Sequence, residues 1–168
     1  MILIYTGAGK GKTSASIGQA IRALGQGFAV YFGQFLKREG QAGEQAVLQD
    51  LLKERFVAGG KGFFRDPSRY EEHRQAAKGV LDWAKAVLQA EHENPLLLVL
   101  DEALYALDSG LIVREELEAI AAMAGNGDKL PHLVLSGRGL PDWLASQADL
   151  VTEMTLVKHP FSQGIKAQ

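Results

Sequence analysis

The chain has 168 residues, of which 46% are hydrophobic and 23% charged, with 19 glycines and no cysteine. This composition excludes a disordered or collagen-like chain, and the lack of cysteine excludes disulfides and thiolate metal sites. A formal net charge of −2 excludes the overall positive field that favours nucleic acids or anionic membranes, so any phosphate must be bound by a local group of cations. No apolar run reaches the ~18 residues that span a bilayer, and we expect a cytoplasmic protein without membrane or nucleic-acid partners.

Short apolar runs alternate with segments of helical periodicity, the pattern of an α/β protein with a mostly parallel sheet. In the first half, the predicted elements are a strand at residues 2–5, a glycine-rich turn at 7–11, a helix from 12 to about 25, a strand at 28–35, a loop at 37–43, a helix at 44–53 and an edge strand at 56–58. A flexible, glycine-bearing stretch follows and carries two adjacent aromatic residues, Phe63 and Phe64.

In the second half, Asp66-Pro67 starts a helix predicted to run to about residue 92, because aspartate is a favourable N-cap and proline fits the first helical position. The remaining predictions are a strand at 96–100, a helix at 114–123 ended by the glycines of 125–127, a strand at 132–135, a helix at 141–148 and a strand at 150–157. The five consecutive aliphatic residues at 96–100 predict a central strand buried on both faces. We therefore expect one doubly wound α/β domain over residues 1–168, with five or six strands.

The strongest motif is Thr6-Gly-Ala-Gly-Lys-Gly-Lys-Thr13, between a predicted strand and a predicted helix. Such a loop binds phosphate because glycines let backbone N–H groups face the oxygens, the helix N-terminus is partly positive, and lysine adds charge. The usual spacing would place the first glycine at position 6, so counted from Gly7 this loop is one residue short. A plain strand-to-helix turn is the alternative, but it would not need the Gly-Lys-Thr ending. We predict that ATP binds to Gly7, Ala8, Gly9, Lys10, Gly11, Lys12, Thr13 and Ser14.

Asp101 and Glu102 follow the predicted central strand, at the sheet edge where ligands bind in open α/β folds. Together with the hydroxyl of Thr13 they are predicted ligands of Mg²⁺, directly or through water; a solvated pair at a strand end is the alternative. Arg138 stands between two glycines after another predicted strand and is a candidate phosphate clamp, with an exposed turn arginine as its alternative. Arg22, on the helix after the loop, is on the sequence alone a surface cation.

Five segments, taken in order, resemble the corrinoid adenosyltransferases of the cobalamin pathway, the CobA/CobO/BtuR type. They are Thr6-Gly-Ala-Gly-Lys-Gly-Lys-Thr13, Arg22-Ala-Leu-Gly-Gln-Gly27, Val99-Leu-Asp-Glu102, Ser136-Gly-Arg-Gly139 and Val157-Lys-His-Pro-Phe-Ser-Gln-Gly-Ile-Lys-Ala-Gln168. The resemblance implies a RecA-like, P-loop NTPase-like homodimer. It further implies transfer of the 5′-deoxyadenosyl group of ATP to the cobalt of a reduced corrinoid, with triphosphate released, Mg²⁺ bound with the ATP, and a reductase as electron donor.

The resemblance also assigns roles to individual residues. Arg22, Glu102 and Arg138 would join the nucleotide site, and Lys12 would stabilise the leaving triphosphate. Cobalt(I) would itself be the nucleophile, so no activated side chain is needed, and catalysis would rest on orientation and electrostatics.

Phe63 and Phe64 are the candidate corrinoid-binding residues. Family members commonly carry Gly-Phe-Thr-Trp where this chain has Gly62-Phe63-Phe64-Arg65, so Arg65 stands at the tryptophan position. The chain opens directly on its first predicted strand, and we expect the N-terminal extension and the C-terminal tail of some members to be missing.

Two other functions stay open on the sequence alone. One is a P-loop ATPase or small-molecule kinase, and the other is a non-catalytic protein that binds a nucleotide or a corrinoid. The missing tryptophan favours these alternatives, whereas the short loop and the Val-Lys-His ending favour adenosyl transfer.

Overall fold

The computed structural model describes residues 1–124 and 131–158, and in it six strands form one sheet. The strands are β1 (Ile2–Thr6), β2 (Ala29–Gln34), β3 (Phe56–Ala58), β4 (Leu96–Asp101), β5 (His132–Ser136) and β6 (Leu150–Glu153). Their order across the sheet is β3-β2-β4-β5-β1-β6, and each pair of neighbours is parallel. This arrangement confirms the α/β fold and the predicted number of strands. The last strand is shorter than predicted, since it ends at Glu153.

Helices connect the strands. They are α1 (Lys12–Gly25), α2 (Glu44–Leu52), α3 (Tyr70–Gln89), α4 (Ala103–Asp108), α5 (Arg114–Ala121) and α6 (Asp142–Ala145). Asp66 caps a 3₁₀ turn at Pro67–Arg69 by accepting the Ser68 N–H at 3.0 Å, and α3 begins only after that turn. The helix at α4 was missed because six residues are too short to show helical periodicity. Among the described residues, no helix combines the length and the hydropathy that a bilayer crossing requires.

The central strand β4 separates two hydrophobic layers. All six of its residues are buried, as predicted for a strand covered on both faces. Leu96, Leu98 and Leu100 pack into the layer that contains residues of α3, α4 and α5. Leu97 and Val99 pack into the other layer, with residues of α1 and α2. The alternation follows from the two-residue period of a strand, and it fixes which face each helix covers.

The strand order decides where the candidate site lies. Because the strands are parallel, the loops that follow β1, β2, β4 and β5 all begin at one edge of the sheet. β5 pairs with both β1 and β4, so it lies between the glycine loop and the carboxylates. Ser136 ends β5 and Arg138 follows two residues later, so both are placed between the two halves of the predicted site.

Candidate active site

The glycine loop between β1 and α1 is held by the segment that follows β6. Gly7 and Gly11 have φ of 103° and 107°, in the left-handed region that favours glycine. The Gly9 N–H donates to the Met154 carbonyl at 2.7 Å, and a Cβ on Gly9 would come within 2.6 Å of the same oxygen. The glycines therefore allow the loop to pack closely against Met154, in addition to letting a phosphate approach the backbone. The N–H of Gly9 faces Met154 and not the pocket.

Two cations contact the carbonyls of this loop. Lys12 is only 7% exposed, and its Nζ donates to the oxygens of Gly7 at 2.9 Å and Gly9 at 2.6 Å. Arg138 Nη2 donates to the Ala8 oxygen at 3.3 Å. Burial lowers the pKa of Lys12; the nearby Glu102 opposes this and Arg138 adds to it. Of the cations named from the sequence, Lys12 and Arg138 therefore contact the loop directly.

Asp101, at the end of β4, is the centre of the polar network. It is fully buried and accepts hydrogen bonds on both carboxylate oxygens. Oδ1 accepts from Ser136 Oγ at 2.6 Å, and Oδ2 accepts from Gln34 Nε2 at 3.1 Å and Lys37 Nζ at 3.0 Å. The hydroxyl of Thr13 lies 3.1 and 3.2 Å from the two oxygens. The structure therefore brings the predicted pair Thr13 and Asp101 together, as a shared metal site requires.

Sequence reasoning missed Lys37, which it placed in a loop without a role. Its Nζ lies 3.0 Å from Asp101 Oδ2 and 2.8 Å from Glu44 Oε1. Burial would lower the pKa of Lys37, but the attraction and hydrogen bonds of Asp101 and Glu44 outweigh it, and the pKa is raised. The sequence feature that could have pointed to Lys37 is its position just after a strand, at the sheet edge that carries the other site residues. Gln34, which also binds Asp101, was missed as well.

Glu102 combines a strained backbone with a perturbed carboxyl group. Its φ of 63° lies in the left-handed region, which non-glycine residues adopt mainly where the surroundings enforce it. Its N–H donates to Ser136 Oγ at 3.0 Å, and that hydroxyl in turn donates to Asp101. Burial raises the pKa of Glu102, and the neighbouring Asp101 raises it further, against the opposing cations Lys12, Lys37 and Arg138.

Replacing Glu102 with glutamine is expected to stabilise the nucleotide-free protein at pH 8, by about 2–4 °C in Tm. Since the folded-state pKa of Glu102 is raised, ionisation opposes folding. This penalty is absent below the ordinary glutamate pKa, grows as the pH rises towards the raised value and is complete above it. Thermal melts at pH 4 and pH 8 measure it. Glu115→Gln, on the exposed start of α5, is the control, and an equal Tm gain at both pH values would show that the ionisation of Glu102 is not its cause.

An open pocket of about 770 Å³ joins these groups. Its lining contains five cationic and two acidic side chains, so the pocket is locally positive although the whole chain is not. The lining residues are Gly9, Lys10, Gly11, Lys12, Thr13, Ser14, Ile17, Lys37, Ala42, Glu44, Phe63, Arg65, Glu102, Tyr105 and Arg138. The local excess of positive charge is what a protein of net negative charge needs to bind a polyphosphate.

The two aromatic residues predicted for the corrinoid lie in different surroundings. Phe63 is 55% exposed, lines the pocket, and contacts Tyr105 edge-to-face with 6.4 Å between ring centroids. The guanidinium of Arg65 lies 5.8 Å from the centroid of the Phe63 ring. Phe64 packs instead against Tyr70 and His73 and does not line the pocket. The structure therefore brings only Phe63 to the pocket.

Three further predicted residues lie at the margin of the pocket or away from it. Gly7 and Ala8 line a second, smaller cavity of about 480 Å³, which shares Arg138 with the main pocket. Arg22 is exposed in the last turn of α1, about 15 Å along the helix from Lys12, and does not line the main pocket. Residues 125–127 and 159–168, the latter with most of the Val-Lys-His motif, lie outside the described residues.

The parallel sheet, the glycine loop and the buried carboxylate strand define a nucleotide-binding fold of the P-loop NTPase-like class. Within this class the chain belongs to the ATP:corrinoid adenosyltransferase family BtuR/CobO/CobP, whose model matches residues 1–168. It is therefore an ATP:corrinoid adenosyltransferase, an enzyme of the transferase class, as the resemblance in the sequence predicted.

Individual relatives support this membership. A corrinoid adenosyltransferase of Pseudomonas aeruginosa is 36% identical over 169 residues, which cover 100% of this chain and 81% of that protein. A corrinoid adenosyltransferase of Escherichia coli K12 is 34% identical over 171 residues, covering 100% and 83%. A structural comparison finds the genome packaging NTPase B204 from Sulfolobus turreted icosahedral virus 2, in complex with AMP. Its TM-score is 0.48 at 17% identity, with 95% of this chain and 77% of that chain covered.

Proposed function

We propose that this enzyme binds ATP in the pocket beside the glycine loop and transfers its 5′-deoxyadenosyl group to cobalt(I) of a corrinoid bound next to Phe63. Family membership supports the reaction. The observation that carries the assignment to this pocket is the shared lining, which joins the cations of the loop to an exposed aromatic ring. Phosphate groups would contact the cations at one end, and the flat corrin would contact the ring at the other.

The transfer is a substitution at the C5′ carbon of ATP. The electron pair of cobalt(I) forms the new cobalt–carbon bond, the C5′–O bond breaks, and its electrons leave with the triphosphate. No proton moves, so a general base is not required. The protein instead stabilises charge on the leaving group, and the cations Lys10, Lys12 and Arg138 line the pocket where that charge would develop.

Mg²⁺ fits this site by the chemistry of its donors. The hydroxyl of Thr13 and the carboxylates of Asp101 and Glu102 are the hard oxygen ligands that Mg²⁺ prefers. In residues 1–124 and 131–158 no three His, Cys, Asp or Glu side chains are grouped so as to hold a metal, so oxygens of ATP would have to complete the shell. When bound, Mg²⁺ would supply positive charge to the triphosphate. We assign its binding to Thr13 and Asp101, with Glu102 beside them.

Phe63→Ala and Phe64→Ala are expected to act on different properties. Phe63→Ala should raise the KM for the corrinoid without changing Tm, because the ring is exposed at the pocket. Phe64→Ala should lower the free energy of unfolding by about 2–3 kcal/mol, because this ring packs against the core layer of α3. Steady-state kinetics and urea unfolding measure the two effects. An unchanged corrinoid KM for Phe63→Ala would remove this ring from the corrinoid site.

One assay tests the function directly. The protein is mixed with ATP, Mg²⁺ and chemically reduced cobalamin, the absorption spectrum is followed for the adenosylated product, and the released phosphate is identified. Adenosylcobalamin formed together with triphosphate is the expected result. Orthophosphate without a change in the corrinoid spectrum would contradict it and favour the ATPase alternative. Omission of ATP is the control for non-enzymatic reoxidation of cobalt.

The family resemblance also supports a cytoplasmic homodimer served by an electron-donating reductase, and we include these in the proposal. In the structure, β6 is the last strand at one side of the sheet, and its Leu150 and Val151 are exposed. An exposed edge strand with apolar side chains is a surface that a second copy of the chain can cover. Light scattering on the purified protein tests the dimer. A single mass near 18.2 kDa at all concentrations would exclude it.

A further inference from the structure

The ammonium group of Lys37 is fully coordinated inside the candidate metal site. It has three N–H donors, and three side-chain oxygens accept them. These are Glu44 Oε1 at 2.8 Å, Asp101 Oδ2 at 3.0 Å and Thr13 Oγ1 at 3.2 Å. The side chain of Lys37 is 19% exposed and that of Asp101 is 0% exposed, so this cation and its anion meet largely away from water. A fixed positive charge thus lies where oxygen ligands converge.

The backbone around Lys37 is bent so that the side chain enters the site. Leu36 has a φ of 60°, and the Lys37 N–H donates back to the Phe35 carbonyl at 2.6 Å, which closes a tight three-residue turn. Such a conformation is unfavourable for a leucine and persists only where the surroundings enforce it. The Gly60 N–H donates to the Lys37 carbonyl at 3.0 Å and anchors the turn from the other side. The position of Lys37 is therefore built into the fold.

The same oxygens cannot serve Lys37 and a directly bound Mg²⁺ together. Mg²⁺ needs ligand oxygens at about 2.0–2.1 Å, and an ammonium within hydrogen-bond distance of those oxygens repels the ion and uses their lone pairs. Asp101 already accepts hydrogen bonds from four side chains. A carboxylate has about four lone-pair sites, so all of them are in use. A divalent cation could ligate Asp101 only after Lys37 has withdrawn.

We propose that Lys37 is an internal cation that occupies the ligands of Mg²⁺ until ATP arrives, so that Mg²⁺ enters only together with the nucleotide. Lys37 lines the main pocket, where phosphate oxygens are alternative acceptors for its three donors. On binding of ATP, the ammonium moves from Asp101 to the phosphates and the carboxylate is released to the metal. This inference rests on the metal site of the proposed function, and it adds an order of binding that the reaction itself does not require.

Mn²⁺ binding without nucleotide tests the proposal, with free Mn²⁺ measured by electron paramagnetic resonance at pH 7.5. Lys37→Met is expected to bind Mn²⁺ at least tenfold more tightly than the wild type, because Asp101 and Glu44 then face the site without their cation. Lys78→Met is the matched control: it removes the same charge from an exposed position on α3 that does not line the pocket, and it should leave Mn²⁺ affinity unchanged. Adding Asp101→Asn to Lys37→Met should abolish the gain.

Equal Mn²⁺ affinity in the wild type and Lys37→Met would overturn the proposal. If Lys37→Met does not fold, ¹⁵N-labelled lysine side chains in the wild type give the answer. The Lys37 ammonium signal should be unchanged by Mg²⁺ alone and should shift when Mg²⁺ and ATP are added together. A shift with Mg²⁺ alone would contradict the order of binding. Adenosyl transfer by the wild type is assayed separately, so failure of this inference leaves the proposed function standing.

Discussion

Lys12→Met is expected to lower kcat/KM for adenosyl transfer by about a hundred- to a thousandfold. The Nζ of Lys12 is the buried cation of the glycine loop, held by the carbonyls of Gly7 and Gly9. Methionine keeps the apolar stem and removes the charge that would stabilise the leaving triphosphate. The rate is measured from the cobalamin spectrum at saturating and subsaturating ATP, and ATP affinity is measured by calorimetry.

Lys10→Met is the control for the loss of Lys12, since both lysines belong to the same loop but Lys10 is exposed. A much smaller loss is expected for it, because an exposed cation is screened by water and salt. Equal losses in the two variants, or an unchanged rate in Lys12→Met, would mean that the phosphate contact is assigned to the wrong residue.

Asp101→Asn is expected to lower the free energy of unfolding by about 3 kcal/mol and adenosyl transfer by about 10- to 100-fold. The carboxylate is fully buried and receives hydrogen bonds from Gln34, Lys37, Thr13 and Ser136. The asparagine amide has the same shape, but its NH₂ group would face other donors, and Lys37 would lose its buried partner. Urea unfolding and the spectroscopic assay measure the two effects.

Glu44→Gln is the matched control for Asp101→Asn. It also removes a carboxylate from Lys37, but the Glu44 side chain is 25% exposed, so water compensates for part of the loss. A clearly smaller destabilisation is expected. Equal destabilisation of the two variants would mean that the burial of Asp101 does not determine how much its carboxylate contributes to the free energy of unfolding.

The parts of the site that could be predicted from the sequence are those in which a residue type suited to nucleotide binding stands in a recognisable local pattern. The glycine loop and Lys12 form one continuous motif, and Asp101 ends an unmistakable buried strand. Sequence reasoning missed Gln34 and Lys37, because both lie within or just after a strand whose apolar pattern gives no sign of a polar role. It also did not separate Phe63 from Phe64, since neighbouring side chains point in different directions and only packing against Tyr70 and His73 decides which ring is covered.

The sequence by itself determined the class of this protein: the alternation of strands and helices, the short phosphate-binding loop and the order of motifs that the family shares. Only the tertiary structure decided which polar groups meet. The order β2-β4-β5-β1 brings Gln34, Asp101, Ser136 and the glycine loop to one edge, and the turn at Leu36 brings Lys37 between Thr13 and Asp101. These are contacts between residues tens of positions apart. They depend on strand order and on a backbone bend, which local periodicity does not encode.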